Sequence, residues 1–267
     1  MRHIRRPVGI VTASIAAGTA MLAAPAPAFA ADTNYVALGD SYASGTGTRD
    51  YFDDSGDCMR GPKAYPQLWA DSHSPASFDF VACSGATTDD LNADQLGALN
   101  DRTTLVTVQI GGNDVGFADI MTRCLIGTDD GCDSAVGDSE TKARDELPAK
   151  LQATYDGIRK AAPNASVVVV GYPRINELGA CDDIPGYTEA KRDRINAGAD
   201  VLDGVISEQA QAAGFTFADP REAFSGHGVC SGSEWINGPS TPIEESFHPN
   251  PDGHASGYLP TVESAIG

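Results

Sequence analysis

Four short stretches, the first three made mostly of small residues, hold the residue types that acyl transfer requires. They are Gly39-Asp40-Ser41, Cys83-Ser84-Gly85-Ala86, Gly111-Gly112-Asn113-Asp114 and Glu245-Ser246-Phe247-His248. A serine hydroxyl is a weak nucleophile until a neighbouring base takes its proton. Ser41 is the candidate nucleophile and His248 the candidate base, a side chain whose intrinsic pKa lies near neutrality. His227, in SGHGVC, is the rival; His73 sits in a polar connector, and His254 where a final helix is expected to start. Glu245, three residues before His248, can orient the imidazole and offset its charge. Glu244 and Glu245 read equally well as solvated loop acids, and a main-chain carbonyl such as that of Ser246 would serve the ring as well. The tetrahedral intermediate of acyl transfer needs preorganised donors at its oxyanion. The N–H groups of Ser41 and Gly85 and the side chain of Asn113 supply them. Alone, each stretch is bland: Gly-Asp-Ser is an ordinary turn sequence, and Gly-Gly-Asn-Asp a loop tolerant of positive φ.

The elements between these stretches explain how they would meet. Apolar runs at Tyr35–Leu38, Phe78–Ala82, Leu105–Ile110, Val167–Val170 and, more weakly, Phe215–Ala218 read as strands. They lack polar alternation, as strands buried on both faces do. Helical spacing of apolar residues predicts helices over Lys142–Ala162 and Thr188–Ala213, and a last one within Pro251–Ile266. Strand–helix alternation predicts a three-layer α/β fold with a parallel sheet and right-handed crossovers. Ligands of such sheets gather beyond the carboxyl ends of the strands. The first three stretches each close a predicted strand, and the fourth follows the last.

Residues 1–30 combine Arg2, Arg5 and Arg6 with a long Ala-rich run and a small-x-small end at Ala28-Phe29-Ala30. This predicts a signal peptide cleaved after Ala30, a secreted protein and a single catalytic domain over 31–267. Pro25 and Pro27 break the apolar run, and nothing later approaches the ~20 apolar residues of a span, so no stable membrane anchor is expected. The formal charge of −19 argues against nucleic acid or anionic surfaces as partners. The six cysteines, Cys58, Cys83, Cys124, Cys132, Cys181 and Cys230, form an even set suited to disulfides in an exported chain. Their spacing leaves connectivity open; pairing in sequence order is the simplest arrangement. No Cys-x-x-Cys or similar ligand pair points to a metal, and no cofactor is expected.

Taken together, GDSYASG (39–45), Gly85 in CSGA, GGND (111–114) and ExxH (245–248) within SFHPN resemble the SGNH-hydrolase (GDSL-like lipase/esterase) superfamily, and especially its secreted actinobacterial members with three disulfides. The resemblance spans the whole mature chain. It implies a flavodoxin-like five-stranded parallel sheet, with Ser41 as nucleophile, His248 as base and Ser41, Gly85 and Asn113 as the oxyanion hole. It also fits the pairings Cys58–Cys83, Cys124–Cys132 and Cys181–Cys230. The family pattern usually has Asp where this chain has Glu245, and some secreted relatives use a backbone carbonyl instead. The G-x-S-x-G elbow of α/β-hydrolases is absent.

The expected reaction is hydrolysis of carboxylic esters through an acyl-enzyme, with a small-molecule or lipid ester as substrate. Met59, Tyr65, Trp69, Phe117, Ile120 and Met121 are candidates to line an acyl pocket, with the segment from Phe117 best placed. Phospholipase A and polysaccharide deacetylase are the alternatives. Only 7% aromatic residues with two Trp speak against sugar stacking, and strong acidity against docking on anionic phospholipid. A binding module on the same fold is the non-enzymatic alternative. Nothing in the pattern calls for more than a monomer.

Overall fold

The computed structural model describes residues 32–267, together with Met1 and His3; the signal peptide expected over residues 1–30, with cleavage after Ala30, falls outside the continuously described residues. The apolar runs form five strands, β1 (Asn34–Gly39), β2 (Ser77–Phe80), β3 (Leu105–Gln109), β4 (Ser166–Val170) and β5 (Thr216–Ala218). All neighbours are parallel, in the order β2-β1-β3-β4-β5. The helices among the described residues are α1 (Ser41–Ser44), α2 (Tyr65–His73), α3 (Thr88–Asp94), α4 (Phe117–Ile126), α5 (Asp129–Asp145), α6 (Leu147–Ala161), α7 (Glu189–Ala212) and α8 (Leu259–Ile266).

Alternation along β1 distributes the two cores. Val36 and Leu38 face the larger one with Leu91 of α3, Ile158 of α6 and Ile206 of α7. Tyr35 and Ala37 face the smaller one with Trp69 and Ala70 of α2. Val168, Val169 and Val170 of β4 are fully buried, each worth about 1.5–3 kcal/mol of transfer free energy. β1 and β3 are neighbours, yet the chain leaves β1 toward β2 on one side and continues from β3 toward β4 on the other. Between their carboxyl ends lies the crevice where open α/β sheets take ligands.

Three differences from the sequence expectation have local causes. The helix expected over Lys142–Ala162 is two, because Pro148, at the second position of α6, cannot continue the hydrogen-bond ladder of α5. α5 begins at Asp129, where the Thr128 hydroxyl accepts the Gly131 N–H and two acids face the helix dipole. Before α8 the chain runs through a wide π turn, Gly253–Tyr258, which lets His254 Nδ1 accept the N–H of Tyr65 at the start of α2 (3.3 Å).

The disulfides are Cys58–Cys83, Cys124–Cys132 and Cys181–Cys230, and none involves a strand residue. No described helix is long and apolar enough to cross a membrane.

Candidate active site

At the end of β1 the backbone of Gly39 adopts φ +144°, and a Cβ there would stand 2.4 Å from the Gln109 carbonyl oxygen of β3. Only glycine allows that approach. The buried Gln95 amide clasps the same residue, accepting its N–H and donating to its carbonyl, both at 2.8 Å. Asp40 then caps α1, its Oδ1 accepting the Tyr42 N–H at 3.0 Å. Ser41 thus begins a helix directly off the strand. Its own N–H has no partner among the described residues.

His248 comes from a loop more than two hundred residues later. Its Nε2 lies 2.8 Å from Ser41 Oγ, and its Nδ1 2.9 Å from the Ser246 carbonyl oxygen. A carbonyl can only accept, so Nδ1 carries the proton and the Nε2 lone pair receives the serine O–H. Phe247, at φ +60°, turns the chain so that the carbonyl of residue 246 faces the ring of residue 248. For a bulky side chain that backbone is strained. It is held there by the Tyr42 hydroxyl, which donates to the Phe247 carbonyl at 2.6 Å, and by paired backbone bonds with Asn237. Burial pushes His248 down to about 4, against a smaller upward pull from the Ser246 carbonyl.

Glu245 is not brought to His248, which corrects the orienting role expected for it. Its buried carboxylate accepts Arg49 Nε–H and the Tyr51 hydroxyl, both at 2.9 Å, and Tyr51 in turn accepts the Gly47 N–H. It fastens the 47–51 loop beside His248 rather than holding the ring. His227 is likewise elsewhere, stacked on Trp235 and bonded to the Ser233 carbonyl.

Gly85 has φ +81°, its N–H is unpartnered among the described residues, and the space where a Cβ would stand is open. The Asn113 side-chain amide donates to the Ala86 carbonyl at 2.9 Å, stitching the third stretch to the second and leaving its other N–H. Asp114 is structural: it accepts the N–H and hydroxyl of Thr88 at the start of α3.

From Ser41 and Asn113 an apolar cleft runs along α4 toward the contact of α5 with α7. Phe117, Ile120 and Met121 line it, as expected from the sequence, but Tyr65 and Trp69 are core residues and Met59 is not in the lining. The lining also includes Val136, Ser139 and Ala143 of α5 and Ile195, Gly198 and Leu202 of α7. Among the described residues no His, Cys, Asp and Glu cluster is arranged to hold a metal ion.

Tyr172 escaped the sequence reading. It leaves β4 and reaches the same crevice, with its hydroxyl 2.5 Å from Asp40 Oδ2. Its signal was present: it follows the carboxyl end of the strongest predicted strand, in VVVVGYP.

The chain is similar to several known proteins. The chain is 46% identical over 270 residues to Lipase 1 of Streptomyces coelicolor, covering 99% of this chain and all of that one. The extracellular lipase of Streptomyces rimosus superposes with a TM-score of 0.85 at 45% identity, over 87% of this chain and 99% of that one. Phospholipase A1 of Streptomyces albidoflavus NA297 also gives 0.85, at 48% identity, over 88% and 100%. The pattern of the GDSL-like Lipase/Acylhydrolase family matches residues 37–256, and to that family the chain belongs.

Proposed function

We propose that the protein is a secreted serine ester hydrolase, a lipase or esterase acting through an acyl-enzyme. The observation that carries this is the 2.8 Å contact of Ser41 Oγ with His248 Nε2 at the head of an apolar cleft. His248 Nε2 takes the Ser41 proton as Oγ bonds to the ester carbonyl carbon. The oxygen of that carbonyl becomes an anion and is met by the N–H groups of Ser41 and Gly85 and the free side-chain N–H of Asn113. Collapse expels the alkoxide, which takes the proton from Nε2, and leaves the acyl group on Oγ. Water then gives its proton to Nε2 and attacks the acyl carbon; Oγ departs with that proton and the carboxylic acid is free. Throughout, the Ser246 carbonyl holds Nδ1–H. The cleft supports an acyl chain of some length over a bare acetyl group, which ranks polysaccharide deacetylation behind.

Hydrolysis of p-nitrophenyl esters from acetyl to palmitoyl, by the mature protein and by Ser41→Ala, tests this. Activity that vanishes in the variant is the expected result; negligible rates in both would leave a binding module on a hydrolase fold or a substrate unlike a simple acyl ester, and equal substantial rates would remove Ser41 as nucleophile. Likeness to a phospholipase A1 favours glycerophospholipids as a second substrate class. Release of fatty acid from phosphatidylcholine, set against release from triacylglycerol, separates the two. Export is tested by sequencing the amino terminus of the secreted protein, expected to begin at Ala31. The monomer expected from the sequence is tested by sedimentation.

A further inference from the structure

The three proposed oxyanion donors stand on different segments, and acyl transfer is sensitive to their mutual placement: a displacement of about 1 Å costs on the order of 10²-fold in rate. The Asn113 side chain ties its loop to Ala86. The Ser41 turn is tied to the Asn113 loop by a different device. The Tyr172 hydroxyl donates to Asp40 Oδ2 at 2.5 Å and accepts the N–H of Gly112 at 3.2 Å. Asp40 precedes Ser41, and Gly112 precedes Asn113. One hydroxyl therefore spans the residues immediately before two of the donors, and its donor and acceptor capacities are both used.

We propose that Tyr172 is a positioning residue that sets the Ser41 N–H and the Asn113 amide in register for the oxyanion. The inference rests on the ester-hydrolase reading above. Tyr172 is itself fixed from behind. Its N–H donates to Oδ1 of the fully buried Asp203 of α7 at 2.8 Å, and Arg221 Nε stands 3.6 Å from the other carboxylate oxygen. Gly171 makes room for that carboxylate, since a Cβ there would stand 2.7 Å from Asp203 Oδ2. The ring packs edge-on against Tyr42, with centroids 5.2 Å apart. Tyr42 is the residue that holds the strained carbonyl of Phe247. The Tyr172–Asp40 distance falls in the range of a hydroxyl donating to a charged carboxylate. Burial pushes Asp40 up to about 7, and the tyrosine bond is the largest influence drawing it back. Packing alone would have been served by phenylalanine.

Tyr172→Phe keeps the ring and removes the hydroxyl. With a p-nitrophenyl ester of medium chain length, kcat falls about a hundredfold while KM stays within about twofold. An alkylboronic acid, which forms a tetrahedral adduct on Ser41, loses affinity by a similar factor. Asp40→Ser, whose hydroxyl oxygen can still accept the Tyr42 N–H but is too short to reach Tyr172, breaks the same bridge and carries the test by the same readouts if Tyr172→Phe does not fold. The double variant is no slower than the worse single one, because both remove one device. An unchanged kcat, losses that multiply in the double variant, or kcat and KM shifting together would each overturn the proposal. Wild type and Ser41→Ala run alongside. An inactive wild type removes the ester-hydrolase reading and this one with it, whereas an active wild type matched by Tyr172→Phe removes this one alone.

Discussion

A histidine held by a backbone carbonyl has a fixed tautomer but meets its positive charge with a dipole instead of an ion. That is the situation of His248, whose Nδ1 faces the Ser246 oxygen while burial pushes it down to about 4. The neutral imidazole is the form that accepts the serine proton, and it persists at every pH above that value. The acid limb of kcat/KM is therefore expected near pH 4 in a pH–rate profile, well below the ordinary histidine value of 6.5. A limb at 6.5 or higher would mean the ring is solvated in the working enzyme. Glu245 gives the complementary test. Its carboxylate serves Arg49 and Tyr51, so Glu245→Gln keeps kcat within a few-fold and lowers Tm. Removing the charge of a triad acid costs about 10⁴ in kcat, and a loss of that size would restore Glu245 to the catalytic set. The sequence showed a carboxylate three residues before the histidine. Which group it faces depends on Arg49 and Tyr51, nearly two hundred residues away, and no local pattern contains that.

Between single residues and the fold lie the helices that shape the cleft. α5 was illegible because DDGCDSAVGDSE is polar and carries glycines. Its stability comes from the Thr128 cap, from the ion pairs of Arg194 with Asp133 and Glu140, and from packing on α7. At that packing a Cβ on Gly198 would stand 2.7 Å from Val136 Cγ1, so the two helices touch at residues that line the cleft. Ser139, buried on α5, is the small residue best placed to decide how far a chain can enter. Ser139→Leu is expected to slow palmitoyl ester hydrolysis about tenfold or more relative to butyryl, as overfilling of a packed site does. Equal slowing across the p-nitrophenyl series would place the acyl chain elsewhere. By contrast the strands were legible within a residue or two, because a run such as Val167–Val170 has no other way to be buried.

Over the whole molecule, parallel alternation and the rule that ligands collect at strand ends are enough to expect Ser41, Gly85 and Asn113 at one edge of the sheet from sequence. They do not give strand order, since neighbours in a parallel sheet are set by crossovers and not by local sequence. The disulfides divide the molecule along the same line. Cys83 follows β2, Cys124 lies on the helix after β3, and Cys181 and Cys230 follow β4 and β5. The sheet holds itself by apolar burial, while the segments around the catalytic edge rely on covalent staples. Reduction under native conditions is expected to abolish ester hydrolysis while far-UV circular dichroism still reports the helices and strands. Loss of both signals together would show that the staples support the core as well. A chain synthesised among reducing thiols would then carry its fold but not its chemistry. Its latency would end only where cysteines oxidise.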